Sequence, residues 1–424
     1  MPDAPDSTPV PAPDEAPPAP QAPLLELRDG LPPVTDTAEG LVAVAEAIAG
    51  GTGPVAIDAE RASGYRYFPR AYLIQLRREG AGTALVDPVA FDGLEPLAEA
   101  LAGTEWVLHA ATQDLPCLTE LGLRPSALFD TELAGRLLGY PRVGLATLVE
   151  ELLGRRMRKE HSAVDWSTRP LPEPWLDYAA LDVEVLVELR DVLHEELERA
   201  GKRAWAAQEF DALLGFEPAV RIDAWRRTSG AHRLRGRRAM AAVRSLWETR
   251  DRIARERDVA PGRLIPDASI VVAAQAMPTT TGQLLGTDGF HGRGARRHAR
   301  DWVKALDEAR ALPEDQLPGR APRTEGPPQA RAWADKDPVA AARLAHARAA
   351  VTELSERLSV PVENLLTPDH LRRVLWTPPR TRDRDGLAAA VAEQLASYGA
   401  RAWQVELTGP LLVDAILAAD EGPG

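Results

Sequence analysis

The chain reads as a layered α/β domain with a mixed sheet, followed by two small all-helical modules. Three observations carry this. Short apolar runs alternate with helical patterns through the first half of the sequence. Beyond Phe216-Glu217-Pro218 the composition turns wholly helical, and two segments of that half repeat each other. The 424 residues allow two to four domains with cores of their own. Hydrophobic residues make up 45% of the chain, and no window approaches the roughly 18 unbroken apolar residues of a membrane span.

Each element follows from local pattern. Residues 1–23 (MPDAPDSTPVPAPDEAPPAPQAP) are rich in Pro and Asp and have neither a basic nor an apolar leader region. A disordered acidic tail is expected there rather than a signal or transit peptide. Thr35 to Ala49 reads as a helix, with Asp36 and Thr37 available as caps. Strands are expected at Pro54–Ile57, Ala71–Leu76 and Thr83–Val86, joined as hairpins, which makes the sheet mixed. A helix over Leu94–Leu101, a strand over Trp106–His109 and a helix from about Asp114 come next. Leu181, Val185, Leu186, Leu189, Leu193 and Leu197 recur at helical spacing and place one long helix over Leu176–Arg199.

In the helical half, VAPGRLIPD (259–267) and VPVENLLTPD (360–369) each follow a long amphipathic helix, Ala239–Arg257 and Ala341–Leu358, and precede a short apolar one. Two copies of one helical module are expected. The Pro- and Gly-rich stretch PEDQLPGRAPRTEGPP (313–328) reads as a linker. The expected division is a tail 1–23, an α/β domain 24–218, a module 219–312, a linker 313–336 and a module 337–424.

The formal net charge of −13 argues superficially against a nucleic-acid partner, but its distribution matters more than its sum. Arg221 to Ala305 holds 18 Lys/Arg against 8 Asp/Glu, nearly all the cations being arginines, which suit bidentate phosphate contacts. The single cysteine, Cys117, excludes an internal disulfide, fits a reducing cytoplasm, and sits among apolar neighbours as a core filler.

The stretch PVAIDAERA (54–62) ends an apolar strand in Asp58 and Glu60. Side chains alternate along a strand, so the two carboxylates share a face and repel unless a cation sits between them. Asp114 opens the helix after WVLH, where its plainer reading is a helix cap. Tyr178 and Asp182, four apart in WLDYAALDVEVL, share a helical face and read equally as its polar edge. As a set, four carboxylates and a phenol suit Mg²⁺ or Mn²⁺. Two such ions roughly 4 Å apart activate a water and stabilise the leaving oxygen in phosphodiester cleavage. Three other features have plainer readings. Gly51 lies in a turn, since GTGP lacks the Lys-Ser/Thr of a P-loop. His291 and His298 lie in a solvated basic helix entry, and His161 and Asp165 in a loop.

Asp-x-Glu, then Asp, then Tyr-x-x-x-Asp resembles the DEDDy branch of the 3′–5′ exonuclease superfamily, and the flanking text resembles ribonuclease D. HAATQDLPCL resembles its second exonuclease motif, FDTELAGRLLGYPRVGLATLVEELLG the segment after it, and VDWSTRPLPEPWLDYAALDVEVL its third motif with the preceding loop. Residues 233–310 resemble an HRDC domain, and the last hundred residues a diverged second copy. The resemblance implies a ribonuclease H-like exonuclease domain followed by two HRDC-like bundles. It makes Asp58, Glu60, Asp114 and Asp182 ligands of two divalent cations (Mg²⁺ or Mn²⁺), with Tyr178 positioning the attacking water. After Asp58 and Glu60 the family usually has Thr and Phe, whereas this chain has Ala59 and Arg61. That departure touches substrate-end contacts rather than metal ligands.

The function implied is a cytoplasmic 3′–5′ exoribonuclease that trims structured RNA 3′ ends, of precursor-tRNA type, and releases nucleoside 5′-monophosphates. Arg233, Arg235, Arg237, Arg238, Arg296 and Arg297 would hold the RNA backbone. No membrane and no obligate protein partner is inferred. Two alternatives stand beside it: a DNA-directed exonuclease, and a non-catalytic nucleic-acid adaptor on an inactive scaffold.

Overall fold

The computed structural model describes residues 22–158, 163–219, 222–319 and 326–420. The tail up to residue 21 and His161 lie outside the described residues. Six strands, β1 (Val34–Thr35), β2 (Thr52–Arg61), β3 (Ala71–Glu79), β4 (Gly82–Val86), β5 (Glu105–Leu108) and β6 (Ala127–Asp130), form one mixed sheet in the order β1-β4-β3-β2-β5-β6. The strands β2, β3 and β4 pair antiparallel, while β5 and β6 run parallel to β2.

Helices α1 (Ala38–Gly50), α2 (Glu95–Leu101), α3 (Leu115–Glu120), α4 (Thr131–Leu138), α5 (Leu145–Leu153), α6 (Glu173–Glu184), α7 (Leu186–Arg199) and α8 (Arg203–Leu214) complete the α/β domain. Thr37 caps α1, its hydroxyl accepting from the Gly40 amide. The two faces of the sheet are covered differently. Ile57, Ile74 and Leu76 enter the main core, whereas Leu73 and Leu85 pack with Trp166, Ala179 and Ala180 of the α6 layer. Burial on both faces explains why Ala71–Leu76 of β3 reads as an apolar run interrupted only by Gln75. Asp58 lies opposite Gln75 and Glu60 opposite Leu73. Cross-strand partners share a face, so both acids project toward α6.

The long helix expected over Leu176–Arg199 is two helices. The chain breaks at Val185 (φ −120°, ψ 10°), between α6 and α7. Val185 and Leu186 are both buried on either side of the break. The apolar periodicity therefore runs through the kink and does not report it.

The helical half continues with α9 (Arg237–Arg257), α10 (Pro261–Leu264), α11 (Asp267–Ala276), α12 (Thr281–Leu285), α13 (Arg293–Arg297) and α14 (Ala299–Ala311). It ends with α15 (Trp333–Lys336), α16 (Pro338–Leu358), α17 (Val362–Leu365), α18 (Pro368–Trp376), α19 (Arg384–Ser397) and α20 (Ala402–Asp420). The repeated segments adopt the same path. Each long helix ends on a left-handed residue, Asp258 (φ 46°) or Ser359 (φ 50°), and a one-turn helix follows before the next helix starts at the Pro-Asp pair.

The first module has its own core around Trp225, Leu246, Phe290 and Trp302. The core of the second module, with Trp333, Leu375, Trp403 and Ile416, is continuous with that of the α/β domain. Within the stretch read as a linker, Leu317 is buried in the first core and Trp333 in the second. Among the described residues, no helix is long and apolar enough to cross a membrane.

Candidate active site

The strands β2 and β5 run parallel side by side, so the chain leaving β5 delivers Asp114 next to the end of β2. The helix α6 crosses the same face and adds Tyr178 and Asp182. One carboxylate oxygen from each of Asp58, Glu60 and Asp182 lies within 4.8 Å of the others. Asp114 stands beside Asp58, and Tyr178 beside Asp182. All five line one cavity of ≈ 240 Å³, shared with Arg61, His109 and Gln113. The plainer reading of Asp114 fails, because its side chain caps no helical amide although it stands at the N-cap of α3.

A residue that sequence reasoning passed over holds this arrangement. Asp130, at the end of β6, is buried and accepts from four backbone amides. These are Glu132 (2.9 Å) and Leu133 (3.1 Å) in the first turn of α4, and Ala110 (3.1 Å) and Ala111 (2.8 Å) in the turn leading to Asp114. Ala110 is left-handed there (φ 59°), a conformation a non-glycine residue adopts only when its surroundings enforce it. The visible signal was FDTEL, an Asp before a helix with an acid in its first turn. Cys117 is buried as expected, and its thiol donates to the Asp114 carbonyl at 3.1 Å.

The electrostatics are those of a cluster short of positive charge. Burial, then the charges of Asp58, Asp182 and Asp114, push the Glu60 carboxyl up to about 10. Burial also raises Asp58, Asp114 and Asp182 above the ordinary carboxylate range. Among the described residues, the guanidinium of Arg61 is the single Arg or Lys group lining the cavity, and it opposes part of this. Burial holds the Tyr178 phenol above its ordinary value, with the charges of Asp182, Glu60 and Asp58 adding to it. Its O–H is therefore a donor at neutral pH. His109 is pushed down to about 4 by burial, with Nδ1 2.9 Å from Thr131 Oγ1, and is neutral. Four crowded carboxylates with only oxygen donors fit hard divalent cations.

The predicted nucleic-acid contacts divide into two groups. Arg233, Arg235, Arg296 and Arg297 are exposed and pair with no carboxylate among the described residues. Arg237 and Arg238 are engaged within their own module. Arg237 Nη2 donates to the Leu317 carbonyl at 2.6 Å. Arg238 donates to the carbonyls of Ala309, Arg310 and Leu312 and pairs with Glu314. His298 is not solvated. It is buried, with Nδ1 3.0 Å from Asp301 and its ring edge-on to Trp302, because it opens α14 over the module's core. Asp165 accepts from the amide and hydroxyl of Ser167, a loop role.

Residues 33–198 match a 3′–5′ exonuclease family model, residues 239–306 match HRDC, and residues 326–416 match a 3′ to 5′ exonuclease C-terminal domain. Ribonuclease D of Escherichia coli is 33% identical over 273 residues, covering 62% of this chain and 71% of that protein. The chain belongs to the ribonuclease D family. Ribonuclease D of Acidiphilium cryptum is 33% identical over 311 residues, covering 70% of this chain and 77% of that one. Among solved structures, a protein from Bifidobacterium adolescentis aligns with TM-score 0.83 at 38% identity, over 93% of this chain and all of that one. Escherichia coli RNase D, described as an exoribonuclease involved in structured RNA processing, aligns with TM-score 0.66 at 27% identity, over 92% of this chain and 99% of that one. As a ribonuclease D, this chain is a 3′–5′ exoribonuclease, a hydrolase with an acidic cluster suited to metal. That removes the reading as a non-catalytic adaptor.

Proposed function

We propose that this ribonuclease D trims structured RNA from the 3′ end, of which precursor tRNA with trailer nucleotides is the type, and releases nucleoside 5′-monophosphates. The observation that carries the reading is the convergence of Asp58, Glu60, Asp114 and Asp182, with Tyr178, on one cavity. The four carboxylates would hold two divalent cations, Mg²⁺ or Mn²⁺, which when bound lower the pKa of a water and neutralise charge on the scissile phosphate. A water oxygen bonds to phosphorus, the bond from phosphorus to the 3′ oxygen breaks, and the shortened RNA keeps a protonated 3′-hydroxyl. Tyr178 keeps its proton beside Asp182, so it orients the water by hydrogen bonding rather than accepting its proton.

The first helical module would bring cations toward this site. Gly294 of α13 packs tightly against the backbone of Arg263 and Leu264 in α10. Arg263 in turn donates to the Gly64 carbonyl (2.9 Å) and lies 4.0 Å over the Tyr65 ring, in the loop that follows β2. Arg296 and Arg297 on α13 are thus one helix removed from the loop that closes the acid-bearing strand. They are the side chains that would hold the RNA backbone there, and binding should weaken steeply with salt.

The test is a time course with Mg²⁺ or Mn²⁺ on end-labelled tRNA carrying a short 3′ extension, and on its DNA equivalent, with Asp58→Ala as control. Stepwise shortening of the RNA that stalls near the mature end and is absent in the variant is expected. Equal or faster loss of the DNA would move the substrate to DNA, and no shortening of either would refute the reading.

A further inference from the structure

Arg61 is the last residue of β2, and its pairing with β3 is irregular. Glu60 stands opposite Leu73 but Arg61 stands opposite Ala71, so Tyr72 is skipped. Alternation along β2 puts Ala59 and Arg61 on the face away from Asp58 and Glu60, yet all four line the one cavity, which takes in both sides of the strand end. There the guanidinium is under-used. Its Nη2 is 3.5 Å from Gln113 Oε1 and 3.9 Å from Asp114 Oδ1, and its other donors meet no partner among the described residues. A committed Arg–carboxylate fork has contacts of about 2.8 Å. The side chain is 26% exposed, open to whatever enters. What enters on the exoribonuclease reading is a polyanion, brought against four carboxylates with Arg61 as the one fixed cation on the cavity wall among the described residues. A planar fork of free N–H donors matches the two non-bridging oxygens of a phosphodiester.

We propose that Arg61 is a substrate-binding residue whose free guanidinium edge holds a phosphate within the 3′-terminal dinucleotide of the RNA. This rests on the exoribonuclease reading and adds a discriminating contact to it. The test is a cycle of protein and RNA changes, read by fluorescence anisotropy of 5′-labelled RNA in buffer containing Ca²⁺. Each of the two 3′-terminal linkages is replaced in turn by a neutral methylphosphonate. The wild-type protein should lose affinity about tenfold at one of the two positions, as expected for a charge-assisted hydrogen bond. Arg61→Ala should already bind unmodified RNA weakly by a similar factor, and should lose no more than about twofold on replacement, since coupled changes are not additive. Arg61→Lys, which keeps the charge without the fork, should fall between.

If a folded Arg61→Ala protein, checked by its melting curve, discriminates the methylphosphonate as strongly as the wild type, the proposal is overturned. The same holds if it binds RNA unchanged, or if it binds Mn²⁺ more tightly with undiminished discrimination, since Arg61 would then serve only to offset carboxylate repulsion. Failure of the wild type to shorten RNA sinks the exoribonuclease reading itself. Normal shortening with unaltered discrimination in Arg61→Ala sinks only the assignment of Arg61.

Discussion

Glu60 shows the conflict between stability and chemistry in one side chain. Its folded carboxyl is pushed up to about 10 from an ordinary 4.5, by burial first and then by three neighbouring acids. The folded state therefore keeps a proton that the unfolded chain has released, so stability is full below about 4.5 and drains away as pH rises toward 10. His109 acts with the opposite sign. Its pKa is lowered from 6.5 to about 4, so its contribution is lost as pH falls through that range. The window above 6.5 thus isolates the acids. In EDTA the melting temperature should fall between about pH 6.5 and 8.5, and Glu60→Gln should flatten that slope and raise the value at pH 8. Each kcal/mol regained corresponds to roughly 2–4 °C in a domain of this size. The same variant should lose exonuclease activity, and a steeper slope in it would refute this account. The acid pair was legible in the sequence because a spacing of two on a strand puts both groups on one face. The approach of Arg61 was not, because alternation puts it on the other face from the acids and only the cavity at the strand end brings them together.

Asp130 joins two elements through backbone amides alone, and so it was not legible as part of the site. A search for acids that gather ligands has no reason to select one whose partners are all N–H groups. Asp130→Ala should cost about 1–2 kcal/mol through the lost cap of α4. It should also release the Ala110–Ala111 turn that sets Asp114, so activity should fall well beyond what the population of folded protein explains. A denaturant titration and kcat measured on the same preparation decide this, and proportional losses would refute it. The basic segment needs the same distinction between elements. Arg238 satisfies carbonyls at the C-terminal end of α14, where a cation is also favoured by the helix dipole. Arg238→Ala should therefore lower the stability of the first module by about 1–3 kcal/mol, the cost of unsatisfied groups. Replacing Arg296 and Arg297 by Ala should leave melting unchanged and reduce both RNA affinity and its salt slope. Equal melting for Arg238→Ala and wild type would refute the capping role. The sequence shows that arginines cluster here, but which of them are occupied depends on where the chain after α14 returns.

The two helical modules are attached in different ways, although their repeat was legible in the sequence. The second is fused to the α/β domain. Trp403 stacks on Trp205 at 5.0 Å and donates to Glu209, while the buried Lys202 ammonium donates to the carbonyls of Leu137 and Leu358 at 2.7 Å each. The first is attached largely by polar contacts to the loop after β2. Asp258 accepts from the amides of Tyr67 (3.1 Å) and Phe68 (3.2 Å), Asp251 from the Tyr67 hydroxyl (2.9 Å), and Ala260 donates to the Tyr65 carbonyl (2.9 Å). Apolar patterning cannot distinguish these attachments, because both modules carry apolar helices and what those helices meet is not written in their own sequence. The polar attachment is the one that can be loosened without unfolding a core. Asp258 is left-handed, so Asp258→Gly removes the carboxylate without adding backbone strain. Loss of two hydrogen bonds to a charged acceptor should weaken docking by about 1.5–3 kcal/mol. The cavity, whose lining includes no described residue of the first module, is untouched. If the module holds the body of a structured RNA as proposed, trimming of a tRNA with a 3′ extension should then slow severalfold, while a short unstructured oligonucleotide is shortened at close to the wild-type rate. The ratio of the two kcat/KM values is the quantity to measure. A ratio equal to that of the wild type would show that the attachment of the first module has no part in handling structured RNA.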